Sequence, residues 1–194
     1  MDLVQRVQSV ILKPKEEWVR IKAETTTVAE LFTSYVMLLA AIPPAAQFIG
    51  NILIGRRLPF YGLYRWGVGR AFGNAILAYV FALATVYLFA VIINALAPNF
   101  SSAQNMTSAV KLAAYSMTPG WVAGVLYVIP ALWILGLLAS LYGLYILYLG
   151  FDSPMMGTPK DKVMGYMAIS ILVVIALYVV FGLIAGAIFA VRGV

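Results

Sequence analysis

Long apolar segments separated by short polar ones dominate the sequence after its first 30 residues. Each of these apolar segments supplies about 20 residues or more, enough for an α-helix to cross a hydrocarbon core of about 30 Å. The stretch from Ala109 to Phe151 is too long for one crossing, and Pro130 marks the turn that divides it. The pattern therefore predicts five membrane spans, at residues 31–54, 71–96, 109–129, 131–151 and 163–191.

Residues 1–26 form a different, mixed-charge segment. Apolar side chains recur there at helical spacing and make one stripe, which consists of Leu3, Val4, Val7, Val10 and Ile11. Pro14 begins a second short helical stretch, with Glu16 and Glu17 in its first turn. We predict an amphipathic segment on the bilayer surface, with a flexible tail as the alternative. The first long apolar run begins near Leu31, too late for a signal peptide.

The first span carries a break and two amides. Thr27 and Glu30 have the spacing of a capping box immediately before the apolar run. Pro43 and Pro44 remove two backbone donors near the middle of the span, so we predict a kink. Gln47 and Asn51 follow one turn apart, and their amides need partners in lipid. This face of the helix is therefore expected to turn into the bundle.

These elements predict an all-α fold, a polytopic transmembrane helical bundle of five spans in residues 27–194 with an N-terminal amphipathic, interfacial helix. Five spans place the two termini on opposite faces of the membrane. Eight lysines and arginines then lie on the N-terminal face and five on the other. The positive-inside rule therefore predicts a cytoplasmic N-terminus and a C-terminus on the opposite face. The loop 55–70 mixes four arginines with aromatic residues, which is typical of the headgroup zone.

The composition agrees with a membrane protein and limits its chemistry. Of 194 residues, 63% are hydrophobic and 10% are charged, against about 45–50% and about 25% in soluble domains. The sequence contains no cysteine and no histidine, so thiolate chemistry and the commonest metal ligand are excluded. We expect no cofactor and no metal site. The net charge of +6 favours anionic lipid headgroups as partners over nucleic acid.

The distribution of ionisable residues argues against an enzyme. Aspartate and glutamate are confined to the first 30 residues and to Asp152 and Asp161. General acid–base catalysis and proton relays need ionisable groups that face the interior of the bundle. The sequence also lacks a Walker-type phosphate loop and any histidine to activate a serine. We therefore predict no catalytic residues, and ion-coupled transport is disfavoured for the same reason.

Five short motifs occur in order along nearly the whole chain. They are Lys13-Pro14-Lys15-Glu16-Glu17-Trp18, Ala40-Ala41-Ile42-Pro43, Phe48-Ile49-Gly50, Ala114-Tyr115-Ser116-Met117-Thr118-Pro119 and Leu144-Tyr145-Ile146-Leu147-Tyr148-Leu149-Gly150. Together they resemble the bacterial inner-membrane branch of the Yip family. The resemblance implies five spans and a cytosolic N-terminus. Eukaryotic members, linked to Rab-type GTPases and vesicle traffic, carry a long cytosolic N-terminal region that this sequence lacks, so we do not expect GTPase binding.

Two sets of residues are candidates for a functional role. The first is a polar pocket near the Pro43-Pro44 break, formed by Gln47, Asn51, Asn74 and Tyr142. It would bind a lipid headgroup or a neutral solute, unless these groups only satisfy one another between helices. The second set has small-xxx-small spacing for helix packing, inside the protein or between copies of it, and consists of Gly120, Gly124, Gly182 and Gly186.

Three classes of function are compatible with this sequence. The first is a non-enzymatic scaffold or interaction protein that organises the membrane, through anionic lipids, a membrane-protein partner or a homo-oligomer. The second is a small transporter, channel or lipid flippase that uses the pocket at the Pro43-Pro44 break, since broken helices often line substrate sites. The third is an enzyme acting on lipid, which the missing carboxylates disfavour.

Overall fold

The computed structural model describes residues 2–58, 62–152 and 155–191, with side chains described except at 56–58, 185 and 187–191. Within these residues the protein is almost entirely helical. The elements in chain order are α1 (Leu3–Leu12), α2 (Pro14–Ala23), α3 (Val28–Leu31), α4 (Met37–Ala40), α5 (Ile42–Leu53), β1 (Arg56–Leu58), β2 (Gly62–Tyr64), α6 (Val68–Leu96), α7 (Met106–Ala123), α8 (Trp133–Asp152) and α9 (Lys160–Val191).

Four helical stretches are long and apolar enough to cross a membrane, which confirms the all-α, transmembrane class. They are Val28–Leu53, Val68–Phe100, Pro130–Asp152 and Lys160–Ile184. The first stretch begins at the predicted capping box, where the Glu30 amide donates to Thr27 Oγ1 at 3.2 Å. The third predicted span, residues 109–129, corresponds to α7 and the 3-10 turn that follows it. This helix is not among the four.

Helix α7 differs from the four spans because it lies inside the protein. Eleven of its eighteen residues are buried, among them the polar Lys111, Ser116 and Thr118. Its main packing partners are α8 and α6. A helix covered by protein does not need the continuous apolar surface that lipid demands. Its lower hydrophobicity therefore follows from its central position.

Glycines allow α7 to approach its neighbours closely. A Cβ at Gly143 of α8 would lie 2.5 Å from the Ser116 carbonyl oxygen, and one at Gly120 of α7 would lie 2.8 Å from Ser140 Oγ. Gly124 makes room for the ring of Pro43, since a Cβ there would lie 2.5 Å from Pro43 Cγ. The structure therefore places Gly120 and Gly124 at internal helix contacts, as small-xxx-small spacing predicts.

The packing role predicted for Gly182 and Gly186 is wrong within this chain. A Cβ added at either glycine would meet no atom of the described residues within 4 Å. Helix α9 lies on the outside of the bundle, and only 6% of its most apolar segment is buried inside the protein. The spacing alone did not distinguish a helix face covered by protein from one that faces outward.

Loops gather at the two ends of the bundle. One end of the bundle carries residues 1–26 and is called the amino-terminal end. There the loops after α6 and α8 are joined by the Ala103 amide, which donates to the Met156 carbonyl oxygen at 2.8 Å. The hairpin end contains β1 and β2, which pair antiparallel with Arg56 opposite Tyr64. We predicted only a loop here, and the strand pairing is an addition. Gly55 precedes β1 and Gly62 begins β2, and they adopt positive φ angles of 75° and 72°. Glycine adopts such angles readily because it has no Cβ.

A methyl group at the α7–α8 contact is expected to destabilise the protein. Gly143→Ala should lower stability by roughly 1–3 kcal/mol, because its Cβ collides with backbone. Gly182→Ala is the matched control on an open helix face, and it should leave stability unchanged or slightly higher, since alanine favours the helix. Melting temperature in detergent measures both. Equal melting temperatures for the two variants would refute the close approach.

Candidate functional site

The predicted break in the first span is present as an interruption of the helix. Helix α4 ends at Ala40, and α5 begins again at Ile42. Pro43 and Pro44 lie in the first turn of α5, where a missing backbone donor does no harm. A π-helical segment, Phe32–Val36, precedes the break and was not predicted, because a one-residue excess in a helix leaves no clear sequence signal.

A tyrosine from the next span satisfies the backbone at this break. Tyr79 Oη of α6 donates to the Met37 carbonyl oxygen at 3.1 Å. Pro43 and Pro44 cannot donate to the carbonyls one turn earlier, near Leu39 and Ala40. The pairing of Met37 by Tyr79 shows that the break faces another helix. No feature of the sequence indicated that Tyr79 would donate to a backbone carbonyl of the first span.

A cavity of about 370 Å³ lies beside the break. Pro43, Pro44 and Gln47 form its wall on α5, and Gly120 of α7 and Ser140 of α8 lie opposite. Most of its surface is apolar, including side chains of α6 and α9. Cavities of this size and character can hold a small ligand. The break and the first predicted amide thus lie at one cavity.

Three of the four predicted pocket residues come together. Asn74 Nδ2 of α6 donates to Gln47 Oε1 at 3.3 Å. Asn51 is 1% exposed, and its Oδ1 has no hydrogen-bond partner among the described residues. A second cavity, also of about 370 Å³, touches both Gln47 and Asn51 and shares Ser140 with the first. Gln47, Asn51 and Asn74 therefore belong to one region of the bundle interior.

The placement of Tyr142 in this pocket was wrong. Its hydroxyl donates instead to the Ile11 carbonyl oxygen of α1 at 2.7 Å. Tyr142 precedes Gly143 on α8, and Gly143 is the residue that packs against α7. Successive residues of a helix point in directions about 100° apart, so Tyr142 is turned away from the contact with α7. Sequence spacing gave no information on the rotation of α8 about its axis, which decides where Tyr142 points.

Helices α1 and α2 dock onto the bundle, which the sequence did not predict. Leu3 and Val7 pack against the hydrophobic core, and Val10 is 1% exposed. Trp18 inserts between helices, where its indole Nε1 donates to the Ile146 carbonyl oxygen at 3.0 Å. Most of the stripe that we assigned to the bilayer surface therefore faces protein.

A buried charge cluster fixes this docking. Arg6 forms ion pairs with both Glu17 and Glu24. Lys111 of α7 donates from Nζ to the carbonyl oxygens of Ile21 at 2.8 Å and Glu24 at 2.6 Å. Sequence reasoning missed this cluster, although Arg6 occupies the apolar stripe three residues after Leu3 and four before Val10. A charge in that position indicates a buried partner.

The electrostatics of the cluster favour a permanently charged Arg6. Burial lowers the pKa of its guanidinium, but the hydrogen bond to Glu24 and the neighbouring Tyr115, Glu24 and Glu17 raise it more. The net shift of the pKa is upward, so the Arg6 guanidinium stays charged at any physiological pH. The cluster therefore acts as a fixed clamp for α1 and α2.

The arginine-rich loop is only partly described. Phe60 and Tyr61 lie outside the described residues, as does Arg192 near the C-terminus, and the side chains of Arg56 and Arg57 are also outside the description. The Arg70 guanidinium lies over the Trp66 ring, 5.1 Å from its centroid. Within the described part of the chain, no group of acidic residues is arranged to hold a metal ion.

Together these features define a multi-pass helical membrane protein with a mostly apolar cavity among its helices. A family model described as the Yip1 domain matches residues 9–184. The chain belongs to the Yip1 family, as its motifs predicted.

The chain is 30% identical to the "Inner membrane protein YohC" of Escherichia coli (strain K12) over 155 residues, which cover 77% of this chain and 78% of that relative. The protein of the same name from Escherichia coli O6:H1 matches to the same extent. No solved structure matches.

Loss of Arg6 is expected to destabilise the docked helices strongly. Arg6→Ala leaves the Glu17 carboxylate, whose side chain is 2% exposed, without its buried partner, and such a loss typically costs about 3–5 kcal/mol. Arg20→Ala is the matched control, because Arg20 pairs with the same carboxylate from a side chain that is 62% exposed, and it should cost less than about 1 kcal/mol. Unfolding in detergent compares them. Similar losses in both variants would contradict the cluster.

Asn51 and Tyr142 are expected to act independently, since they share no partner. Tyr142→Phe removes one hydrogen bond and should cost roughly 0.6 kcal/mol. Asn51→Leu removes an unpaired buried oxygen, so stability in detergent should not fall. The double variant should be additive within about 0.5 kcal/mol. A coupling well above this in a double-mutant cycle would place the two residues in one network.

Proposed function

We propose that this protein is a non-enzymatic scaffold or interaction protein of the inner membrane. The name of its Escherichia coli relative gives this location. The protein would hold anionic lipids or a membrane partner at its amino-terminal end. The observation that carries this proposal is the clamped pair α1 and α2, which forms a fixed platform on the bundle. A fixed platform can present a surface without the ordering cost of a flexible tail.

The outer surface of this platform suits an anionic bilayer. Val4, Leu12 and Val19 are 58%, 75% and 62% exposed, while Lys13 and Lys15 are exposed beside them. Apolar side chains next to lysines are the usual composition of interfacial helices. The inward face of the platform binds protein, and the outward face is left for lipid or a partner. This arrangement supports the proposed interfacial, amphipathic role of residues 1–26.

The proposed topology has five spans, with α7 as the central one. Helix α7 and its 3-10 extension Gly124–Val128 together are long enough to cross about 30 Å. With α7 counted, the platform and eight basic residues lie on the cytoplasmic face, in agreement with the positive-inside rule. The C-terminus then lies on the opposite face.

Reporter fusions test this topology directly. A fusion at the N-terminus should report the cytoplasm, and one at the C-terminus should report the opposite face. A fusion in the loop after α6 should agree with the N-terminal one. Two terminal fusions on the same face would mean an even number of spans and would remove α7 from the count.

The platform is expected to bind anionic lipid through its lysines. In vesicles of phosphatidylcholine doped with phosphatidylglycerol, the double variant Lys13→Ala/Lys15→Ala should bind phosphatidylglycerol roughly 30-fold more weakly, at about 1 kcal/mol per lysine. The control Gln5→Ala/Gln8→Ala changes exposed, uncharged residues of the same platform and should have no effect. Unchanged binding in the lysine variant would contradict the proposed lipid contact.

The second candidate function is passage of a small molecule or lipid through the bundle. The cavity beside Pro43 and Pro44 favours it, because interrupted helices often line substrate sites. A flux assay in proteoliposomes separates the two functions. Saturable, substrate-specific flux would replace the scaffold with a transporter, whereas its absence would favour the scaffold.

A further inference from the structure

We propose that the cavity beside the helix break binds an uncharged membrane amphiphile. Its hydrogen-bonding group would lie at Gln47 and Asn51, and its apolar chain would extend toward the middle of the bundle. This proposal deepens the second candidate function, because it names the class of molecule that the cavity holds.

The unpaired oxygen of Asn51 is the strongest evidence. Asn51 is 1% exposed, and its Oδ1 has no partner among the described residues. An unpaired buried acceptor has lost its hydrogen bonds to water without gaining others, so native proteins rarely keep one without a reason. Gln47 accepts from Asn74, and this bond leaves the two amide N–H groups of Gln47 available as donors. A ligand with both a hydroxyl and an acceptor oxygen would satisfy these two side chains together.

The lining of the two cavities selects an uncharged ligand. Among the described residues that line them, none carries a charged side chain. Their polar groups are amides and hydroxyls, which bind neutral groups well but do not compensate a buried ion. The rest of the surface is apolar and runs along α6 from Ala78 to Phe89, about 16 Å by helical rise. That length accommodates an extended hydrocarbon chain.

The cavity opens sideways, between α8 and α9. Ser140 of α8 is exposed, and Tyr178 of α9 is 53% exposed, although both line the cavity. These helices are spans, so this opening faces lipid at the level of the membrane. Gln47 lies about 9 Å from the end of α5 at Leu53, close to the headgroup region of the hairpin end. A membrane amphiphile can therefore enter laterally with its polar group already at the correct depth.

Photolabelling tests this proposal. The whole protein is placed in phosphatidylcholine nanodiscs with a diazirine analogue of monolauroylglycerol, and labelled peptides are identified by mass spectrometry. We expect saturable labelling at Met117, Leu144 and Val174 in the cavity. Unlabelled monolauroylglycerol should displace the probe, whereas laurate, dodecyltrimethylammonium and dodecane should do so about 5-fold less well or worse, which corresponds to at least one lost hydrogen bond.

Matched variants locate the site. Ala82→Phe fills the cavity, whereas Ala84→Phe adds the same group to an exposed position two residues along α6. Only the first should abolish the saturable labelling. Gln47→Leu removes a hydrogen-bonding group at little cost in packing and should weaken competition by monolauroylglycerol about 5-fold. It also keeps the test valid if Ala82→Phe does not fold.

Several results would overturn the proposal. Displacement of the probe by laurate and dodecane as strong as that by monolauroylglycerol would mean that any hydrocarbon chain fills the cavity, without recognition of a polar group. Labelling that does not saturate, or that Gln47→Leu leaves unchanged, would exclude a site at these amides. The assay measures occupancy at equilibrium and not flux. A protein that binds the probe without transporting it would therefore support this site while the transport function fails.

Discussion

The close contact between α7 and α8 is the interaction on which the rest of the bundle depends. Gly143 brings α8 against the Ser116 backbone, and Gly120 does the same beside Ser140. With little hydrophobic drive between helices in lipid, such contacts gain stability from dispersion and from close backbone approach. They hold α7 at the centre of the protein, where its polar residues are covered. The surrounding spans can then present continuous apolar surfaces to lipid.

The helix break follows from the same central position of α7. Gly124 accommodates the Pro43 ring, and Tyr79 satisfies the Met37 carbonyl, so the interruption is supported from two neighbouring elements. The cavity near Gln47 lies beside this break, and Pro43 and Pro44 form part of its wall. Close packing at the break and a cavity beside it therefore occur together. The prolines are held by one set of contacts, while the amides beyond them remain incompletely paired.

At the end of the bundle that carries α1 and α2, ion pairs hold the helices together, whereas in the interior close contacts at glycines do so. Arg6, Glu17 and Glu24 hold α1 to α2, and Lys111 joins both to α7 through the end of α2. Buried ion pairs add little net stability, but breaking one is costly, so they favour a single arrangement. Pro14 begins α2, and Trp18 one turn later anchors this helix on α8 through its hydrogen bond to the Ile146 carbonyl oxygen. This clamp turns an amphipathic tail into a surface of defined shape.

The sequence by itself determined the membrane class, the positions of the helices, the capping box at Thr27 and the break at Pro43. These features depend on local hydrophobicity and backbone chemistry, which are written in consecutive residues. Only the tertiary structure decided which face of each helix is covered. It placed Gly120 and Gly124 at close helix contacts, whereas Gly182 and Gly186 lie on an open helix face. It also showed that Tyr142 bonds to α1 and does not line the cavity. It also turned most of the apolar stripe of α1 toward protein. The physical reason is that helix rotation and partner choice depend on packing between distant segments, which local periodicity does not specify.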